Sequence, residues 1–210
     1  MPKLPKTLHG VLFDLDGVLV DSAPAWHRVI DEGARQSGHP GVSFERFIGT
    51  FGQGVDADRR NFFPSLTNAE VDALYLERFA SHLDALRVME GAHLLLDRLG
   101  AAGIARAVVT NTPRLLADKV LAHAQLSARL ESSSAGGEAA EKPSPKLVEL
   151  ALKRLSLSAK DVIYVGDSQS DRGAARAAGI FMVGLGIEGD ARIEHLSELE
   201  GVLGSLLPLG

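Results

Sequence analysis

Four short apolar segments, each ending in small or polar residues, constrain the fold of this 210-residue chain more than any other feature. They span residues 8–13, 105–110, 161–165 and 180–183. Helical patterns, bounded by proline or glycine, cover residues 92–99, 112–123, 145–155 and 171–178. An alternation of buried strands and helices predicts an α/β fold, with a parallel Rossmann-like sheet between two helical layers. In such folds, ligands bind beyond the carboxyl ends of the strands.

The stretch between residues 20 and 87 interrupts this alternation and is helical in pattern throughout. Thr67 and Glu70 form a capping-box sequence, and the apolar stripe that follows is typical of a packed helix face. We therefore predict an α/β core domain made of residues 1–19 and 88–210, with an all-helical cap domain at 20–87. Residues 130–134 allow one further strand, but the Ser-Ser-Ser-Ala-Gly-Gly sequence at 132–137 is more typical of a loop.

Composition excludes several classes of function. The chain is 45% hydrophobic, has no cysteine and has no apolar run of the roughly 20 residues that cross a bilayer. Its formal net charge is −5, and a single Arg59-Arg60 pair offers no basic surface for nucleic acid. We expect a cytoplasmic protein that binds neither membrane nor nucleic acid and acts on a small molecule.

Acidic residues follow two of the predicted strands. Asp14 and Asp16 come directly after the first strand, and Asp167 and Asp171 lie at the turn into the last long helix. Carboxylates gathered at one sheet edge repel each other unless a cation is shared. Oxygen ligands of this kind suit Mg²⁺, so the four aspartates predict a magnesium site.

Three further residues at this edge favour a phosphate ligand. Thr110 and Asn111 precede a helix start, where a hydroxyl and free backbone N–H groups can hold phosphate oxygens. Lys142, between Glu141 and Pro143, is a positive charge that can neutralise a nucleophile and the phosphoryl oxygens. The predicted partner is a small phosphorylated metabolite. The Gly-x-Gly-x-x-Gly sequence at 184–189 has too little chain after it to form a dinucleotide site.

Four sequence motifs in this order resemble those of the haloacid dehalogenase superfamily. They are Phe-Asp-Leu-Asp-Gly-Val-Leu-Val-Asp-Ser at 13–22, Val-Val-Thr-Asn at 108–111, Lys-Pro-Ser-Pro at 142–145 and Val-Gly-Asp-Ser with the following acid at 165–171. The likeness covers nearly the whole chain and is to the phosphoglycolate-phosphatase-like branch, which carries a helical cap. It implies a Mg²⁺-dependent phosphatase of small esters, such as phosphoglycolate or a sugar phosphate.

The resemblance also implies a role for each acid. Asp14 would be the nucleophile that forms an aspartyl-phosphate, and Asp16 the general acid and base. Mg²⁺ would be held by Asp14, the Asp16 carbonyl and Asp167, with Asp171 orienting metal-bound water.

Other functions on the same fold remain open at this point. A phosphomutase of the β-phosphoglucomutase type would need the cap to hold a second anionic group, for which Arg59 or Arg60 are candidates. A pyrophosphatase, a dehalogenase and a non-catalytic protein of this fold are further alternatives, although Asp16 argues against a dehalogenase. No catalytic residue of the motifs is missing, which argues against the non-catalytic reading.

Overall fold

The computed structural model describes residues 2–206, except for the side chain of Ser205, and its centre is a six-stranded parallel sheet. The strands are β1 (Gly10–Phe13), β2 (Val20–Asp21), β3 (Arg87–Val88), β4 (Ala105–Pro113), β5 (Ser132–Gly136), β6 (Val162–Gly166), β7 (Phe181–Leu185) and β8 (Ala191–Ile193). The order in the sheet is β5-β4-β1-β6-β7-β8, whereas β2 and β3 form a separate antiparallel pair. Strand β1 is therefore central and pairs with β4 and β6.

Helices cover both faces of the sheet. The α-helices are α1 (Ala23–Gln36), α2 (Phe44–Ile48), α3 (Val55–Phe62), α4 (Asn68–Arg78), α5 (Ala92–Ala101), α6 (Arg114–His123), α7 (Lys146–Leu155), α8 (Gln169–Ala178) and α9 (Leu199–Leu203). Val11 and Phe13 of β1 pack on the side of α5, α6 and α9, whereas Leu12 packs with α7 and α8. Successive strand residues point to opposite faces, so β1 is apolar throughout because both faces are covered. The predicted three-layer α/β fold is confirmed.

The expectation of a loop at residues 132–137 is wrong for most of that sequence. Residues 132–136 form β5, an edge strand parallel to β4, with Ser134 opposite Val109. Ser134 is fully buried, and its hydroxyl donates to the carbonyl of Leu147 at 2.8 Å. Tertiary hydrogen bonding of this kind allows a polar, small-residue sequence to form a strand that its composition does not suggest.

The stretch between residues 20 and 87 holds α1 to α4 and a 3₁₀ helix, Phe79–Ala85. The predicted capping box is present, since Thr67 accepts from the Glu70 N–H and Glu70 accepts from the Thr67 N–H. The stretch is not helical throughout, because β2 and β3 pair at its two ends and place Val20 beside Val88. Its boundaries as a separate cap domain, residues 20–87, stay a prediction.

A cavity of about 360 Å³ separates these helices from the carboxyl ends of the strands. We call its sheet side the floor and its helical side the helical wall. The floor comprises Asp14, Asp16, Thr110, Asn111, Thr112, Pro113, Lys142, Asp167, Ser168 and Ser170, and the helical wall comprises Trp26, Ile30, Phe47, Ile48, Phe51, Gly52, Gly54, Val55, Asp58 and Tyr75. Among the described helices, none is both long and apolar enough to cross a bilayer.

Candidate active site

Asp14 lies at the carboxyl end of β1, the central position of the sheet. Its backbone N–H donates to the carbonyl of Val165 at 2.9 Å, which extends the β1-β6 pairing by one residue and fixes the start of the turn. Its side chain is only 9% exposed. Oδ1 accepts from the Leu15 N–H at 2.7 Å and lies 2.7 Å from Nζ of Lys142. This leaves Oδ2 as the carboxylate oxygen of Asp14 without a hydrogen bond from residues 2–206.

Lys142 links two of the predicted acids. Its Nζ lies 2.7 Å from Oδ1 of Asp14 and 2.7 Å from Oδ1 of Asp171, and it donates to the carbonyl of Val109 at 3.0 Å. The hydroxyl of Tyr164 also donates to Asp171 Oδ1, at 2.8 Å. Burial lowers the pKa of Lys142, but the charges of Asp14 and Asp171 outweigh it and raise the pKa, so the ammonium stays protonated. Two ion pairs and one hydrogen bond to a backbone carbonyl thus fix the ammonium group of the lysine.

Asp171 is fully buried and has both carboxylate oxygens engaged. Oδ1 accepts from Lys142 and Tyr164, while Oδ2 accepts from the N–H and the hydroxyl of Ser168, at 3.0 and 2.5 Å. Ser168 in turn accepts from the Asp171 N–H at 3.2 Å, which completes a capping box at the start of α8. The helix cap thus also positions an acid of the site, because one carboxylate serves both.

Asp167 brings a third carboxylate to the same place. Asp14, Asp167 and Asp171 each offer one oxygen, and these three atoms lie within 4.8 Å of one another. Glycine is needed at Gly17, where φ is +83° and a Cβ atom would lie 2.0 Å from Asp167 Oδ2. The close group of hard oxygen donors fits the requirements of Mg²⁺.

The electrostatics of these acids favour a bound cation. Burial, followed by the charge of Asp171, raises the pKa of Asp14 well above its usual value and that of Asp167 to about 7. Lys142 opposes the shift in both cases, but does not cancel it. Since each carboxylate is costly to ionise in this setting, a divalent cation between them would stabilise the ionised forms.

Asp16 is held by hydroxyl groups rather than by cations. Its Oδ2 accepts from the hydroxyl of Thr112 at 2.7 Å and from that of Thr110 at 3.4 Å, and its Oδ1 accepts from Ser22. Thr110 also accepts from the N–H of Thr112 at 3.0 Å. The carboxyl group of Asp16 is therefore oriented at the floor, close to Asp14 in sequence but in a separate hydrogen-bond network.

Asn111 joins the second and third motifs. Its side-chain amide donates to the carbonyl of Lys142 at 2.9 Å and its Oδ1 accepts from the Lys142 N–H at 2.8 Å. This two-point contact positions the segment that carries Lys142. The side chain of Asn111 is thus engaged by the protein, and its backbone is the part left to meet a ligand at the floor.

The structure brings all seven predicted site residues to this edge of the sheet, but four supporting residues were not predicted from the sequence. These are Ser22, Thr112, Tyr164 and Ser168. Tyr164 had a signal, because it is the one residue with a polar tip in the apolar segment 162–165. Thr112, near the end of β4, had no such signal, whereas Ser22, the N-cap of α1, closes the first motif but had no role assigned to it.

The cationic pair proposed for a second anionic group is not at the cavity. Arg59 and Arg60 do not line it; both are near Asp56, with Arg59 Nε 3.7 Å from Asp56 Oδ1. The glycine sequence at 184–189 leads from β7 into β8 rather than into a helix, so it does not have the strand-helix context of a dinucleotide site.

Comparison with known proteins gives one family. The family model of haloacid dehalogenase-like hydrolases matches residues 11–185. A phosphoglycolate phosphatase of Yersinia pestis is 34% identical over 191 residues, which cover 86% of this chain and 82% of that protein. Many solved structures share the fold. A putative phosphoglycolate phosphatase from Lactobacillus plantarum has a TM-score of 0.81 at 23% identity, covering 92% of this chain and 99% of its own. A β-phosphoglucomutase from Clostridium difficile has a TM-score of 0.83 at 19% identity, covering 95% and 97%. Because the family model matches most of the chain and the motifs and fold agree with it, the chain belongs to the haloacid dehalogenase-like hydrolases.

Proposed function

We propose that the chain is a Mg²⁺-dependent phosphatase that hydrolyses a small phosphate monoester through an aspartyl-phosphate on Asp14. The observation that carries the proposal is the state of the Asp14 carboxylate. One oxygen is held by Lys142 and the Leu15 N–H, and the other receives no such contact from the described part of the chain at the floor of the cavity. A carboxylate fixed in this way, beside a paired cation, is suited to nucleophilic attack.

In the first step, Asp14 Oδ2 attacks phosphorus, and the bond between phosphorus and the alcohol oxygen breaks. Asp16 donates a proton to the leaving oxygen, which departs as the alcohol. The hydroxyl groups of Thr110 and Thr112 keep the Asp16 carboxyl directed at the floor. Lys142 offsets the negative charge of Asp14.

In the second step, water attacks the aspartyl-phosphate and Asp16, now ionised, takes a proton from it. Inorganic phosphate leaves, and both aspartates return to their starting states. The Thr110 hydroxyl and the backbone of Asn111 are the groups we assign to holding the phosphoryl oxygens. These residues lie on β4, which pairs with β1, the strand that Asp14 follows.

Mg²⁺, when bound, would supply positive charge beside the phosphoryl oxygens. Asp14 and Asp167 are the side chains that we assign to it, together with the carbonyl of Asp16. Both oxygens of Asp171 already accept hydrogen bonds, so Asp171 contributes by orienting Lys142 and the turn at Ser168.

The alternative of a phosphomutase is less well supported. It requires a cationic group on the helical wall for a second phosphate, and among the described lining residues Lys142, on the floor, is the one cation. A pyrophosphatase meets the same objection, because its leaving group is itself a phosphate. These features favour hydrolysis of a monoester.

Phosphate release from p-nitrophenyl phosphate, with Mg²⁺ or with EDTA, tests the proposal. We expect release by the wild type that requires Mg²⁺, and a loss of roughly 10⁴-fold in Asp14→Asn, which keeps the shape but not the nucleophile. Asp118→Asn, at an exposed carboxylate of α6, is the matched control and should keep wild-type activity. Release by Asp14→Asn at the wild-type rate would refute the assigned mechanism.

A further inference from the structure

The helical wall carries one acidic side chain among apolar and aromatic ones. Asp58, on α3, lines the cavity together with Trp26, Phe47, Phe51 and Tyr75. The aromatic rings are packed against one another: Trp26 and Tyr75 have centroids 5.1 Å apart, and Phe47 and Phe51 have centroids 5.0 Å apart. A carboxylate in such surroundings is poorly solvated unless something pairs with it.

Among the residues that the structure describes, Asp58 has a side-chain partner for only one of its two carboxylate oxygens. The hydroxyl of Tyr75 donates to Oδ2 at 2.8 Å, and no Lys, Arg or His in residues 2–206 lies within salt-bridge distance of the carboxylate. Burial is the larger influence on this group and raises its pKa to about 7, while the bond from Tyr75 lowers it. The free oxygen belongs to a residue that lines the cavity, and it is available to a ligand.

Carboxyl groups outnumber cationic groups in the lining of the cavity, and they lie on both of its sides. Its described lining includes four carboxyl groups, on Asp14, Asp16, Asp58 and Asp167, against the single ammonium of Lys142. A Mg²⁺ ion and a phosphate dianion would cancel, so the excess persists in a loaded site. A leaving group with a carboxylate or a second phosphate would add to it, whereas a cationic leaving group would reduce it.

We propose that the helical wall selects phosphate monoesters of amino alcohols, with Asp58 as the counter-ion of the substrate ammonium and the aromatic rings as its surroundings. Aromatic faces attract cations, and a carboxylate fixed by a tyrosine hydroxyl gives the ammonium a directed partner. This inference rests on the proposed phosphatase activity and narrows its substrate class. The proposed substrates differ from phosphoglycolate, for which relatives of this chain are named, because the free end of phosphoglycolate is a carboxylate.

Three esters of the same two-carbon chain length test the proposal, since their free ends carry a positive, a neutral and a negative group. They are 2-aminoethyl phosphate, 2-hydroxyethyl phosphate and phosphoglycolate. In the wild type we expect kcat/KM to fall by about tenfold or more at each step from the ammonium to the hydroxyl to the carboxylate. In Asp58→Asn, the ratio between the first two esters should shrink to within about threefold.

Asp56→Asn is the matched control, because Asp56 lies on the same helix, is exposed and is not part of the cavity lining. It should keep the wild-type ratio. The inference is overturned if phosphoglycolate is hydrolysed at least as efficiently as 2-aminoethyl phosphate, or if Asp58→Asn keeps the wild-type ratio. The wild-type comparison alone can refute it, so the test does not depend on the variant folding.

p-Nitrophenyl phosphate, measured beside the three esters, separates the two levels of the proposal. If it is hydrolysed while phosphoglycolate is the best of the three, the phosphatase assignment stands and the amino-alcohol assignment fails. If none of the four esters releases phosphate, the phosphatase assignment fails as well.

Discussion

The floor and the helical wall of the same cavity are built in opposite ways. On the floor, Lys142 and Asp171 have every polar atom of their side chains engaged. The contacts of Lys142 join residues that are distant in sequence. On the helical wall, one tyrosine hydroxyl contacts one carboxylate, and the other surfaces are apolar. The floor is organised before any ligand arrives, whereas the helical wall gives shape, low polarity and a single charge.

This difference separates chemistry from selection. Preorganised charges and hydrogen bonds act on the reacting atoms, where reorientation during the reaction would be costly. The helical wall meets only the part of the substrate that does not react. Changes on the floor should therefore alter kcat, and changes on the helical wall should alter the preference among substrates.

The largest effect is expected from Lys142→Met, which removes the cation that contacts both Asp14 and Asp171 on the floor. The substitution keeps the length of the side chain but leaves Asp14 and Asp171 buried without their cation. We expect turnover to be lost and the free energy of unfolding to fall by about 3–5 kcal/mol. Urea unfolding and phosphate release measure the two effects. A variant of Lys146, the exposed lysine at the start of α7, is the control and should change neither by much.

A smaller effect on the floor is expected from Thr112→Val. The change removes the hydroxyl that donates to Asp16 at 2.7 Å and keeps the side-chain shape. We expect kcat to fall about 10- to 100-fold with little change in KM, because Asp16 would lose its orientation but the substrate would keep its contacts. Steady-state kinetics would show this split, and Thr7→Val, at an exposed threonine, should show no change. A rise in KM with unchanged kcat would contradict the positioning role.

On the helical wall, Asp58→Asn should affect stability in a manner that depends on pH. The pKa of Asp58 is raised in the folded protein to about 7 from 3.8, so the folded state binds a proton more tightly than the unfolded state. The wild type therefore loses stability as pH rises between these values, and the asparagine variant does not. Between pH 5 and pH 8, the stability of the variant relative to the wild type should rise by about 3 kcal/mol. Denaturant unfolding at both pH values measures it, and a difference that stays constant would contradict the raised pKa.

The smallest effects are expected from substitutions in the two capping boxes. One box starts α8 at the floor and the other starts α4, which carries Tyr75 of the helical wall, so the two substitutions compare the regions. Ser168→Ala removes the N-cap of α8 and a donor to Asp171, whereas Thr67→Ala removes the N-cap of α4. Loss of an N-cap hydroxyl typically costs about 1 kcal/mol of stability. We expect the two variants to show similar decreases in unfolding temperature, but only Ser168→Ala to show reduced turnover. Equal activity in the two variants would show that the floor tolerates displacement of Asp171.

Much of the fold could be predicted, because burial on both faces of a sheet imposes a simple pattern. The segments at β1, β4, β6 and β7 are apolar and end where the strands end, within a few residues. Strand β5 was predicted only in part: residues 130–134 allowed a strand, but the serine- and glycine-rich sequence favoured a loop. Its serines are satisfied by contacts with residues distant in sequence, such as Leu147, which no local pattern shows. Local sequence patterns do not predict the short β2-β3 pair either, because its two strands lie far apart in the sequence.

The sequence by itself determined which chemical groups meet at the carboxyl edge of the sheet. Strand order and motif spacing already place Asp14, Asp16, Lys142 and Asp167 there. Only the tertiary structure decided how those groups are connected and what faces them. Hydrogen bonds such as that from Thr112 to Asp16, and the placement of Asp58 opposite the floor, depend on the relative positions of elements distant in the chain. No local pattern encodes those positions, because packing between elements, rather than the propensity of any one of them, sets them.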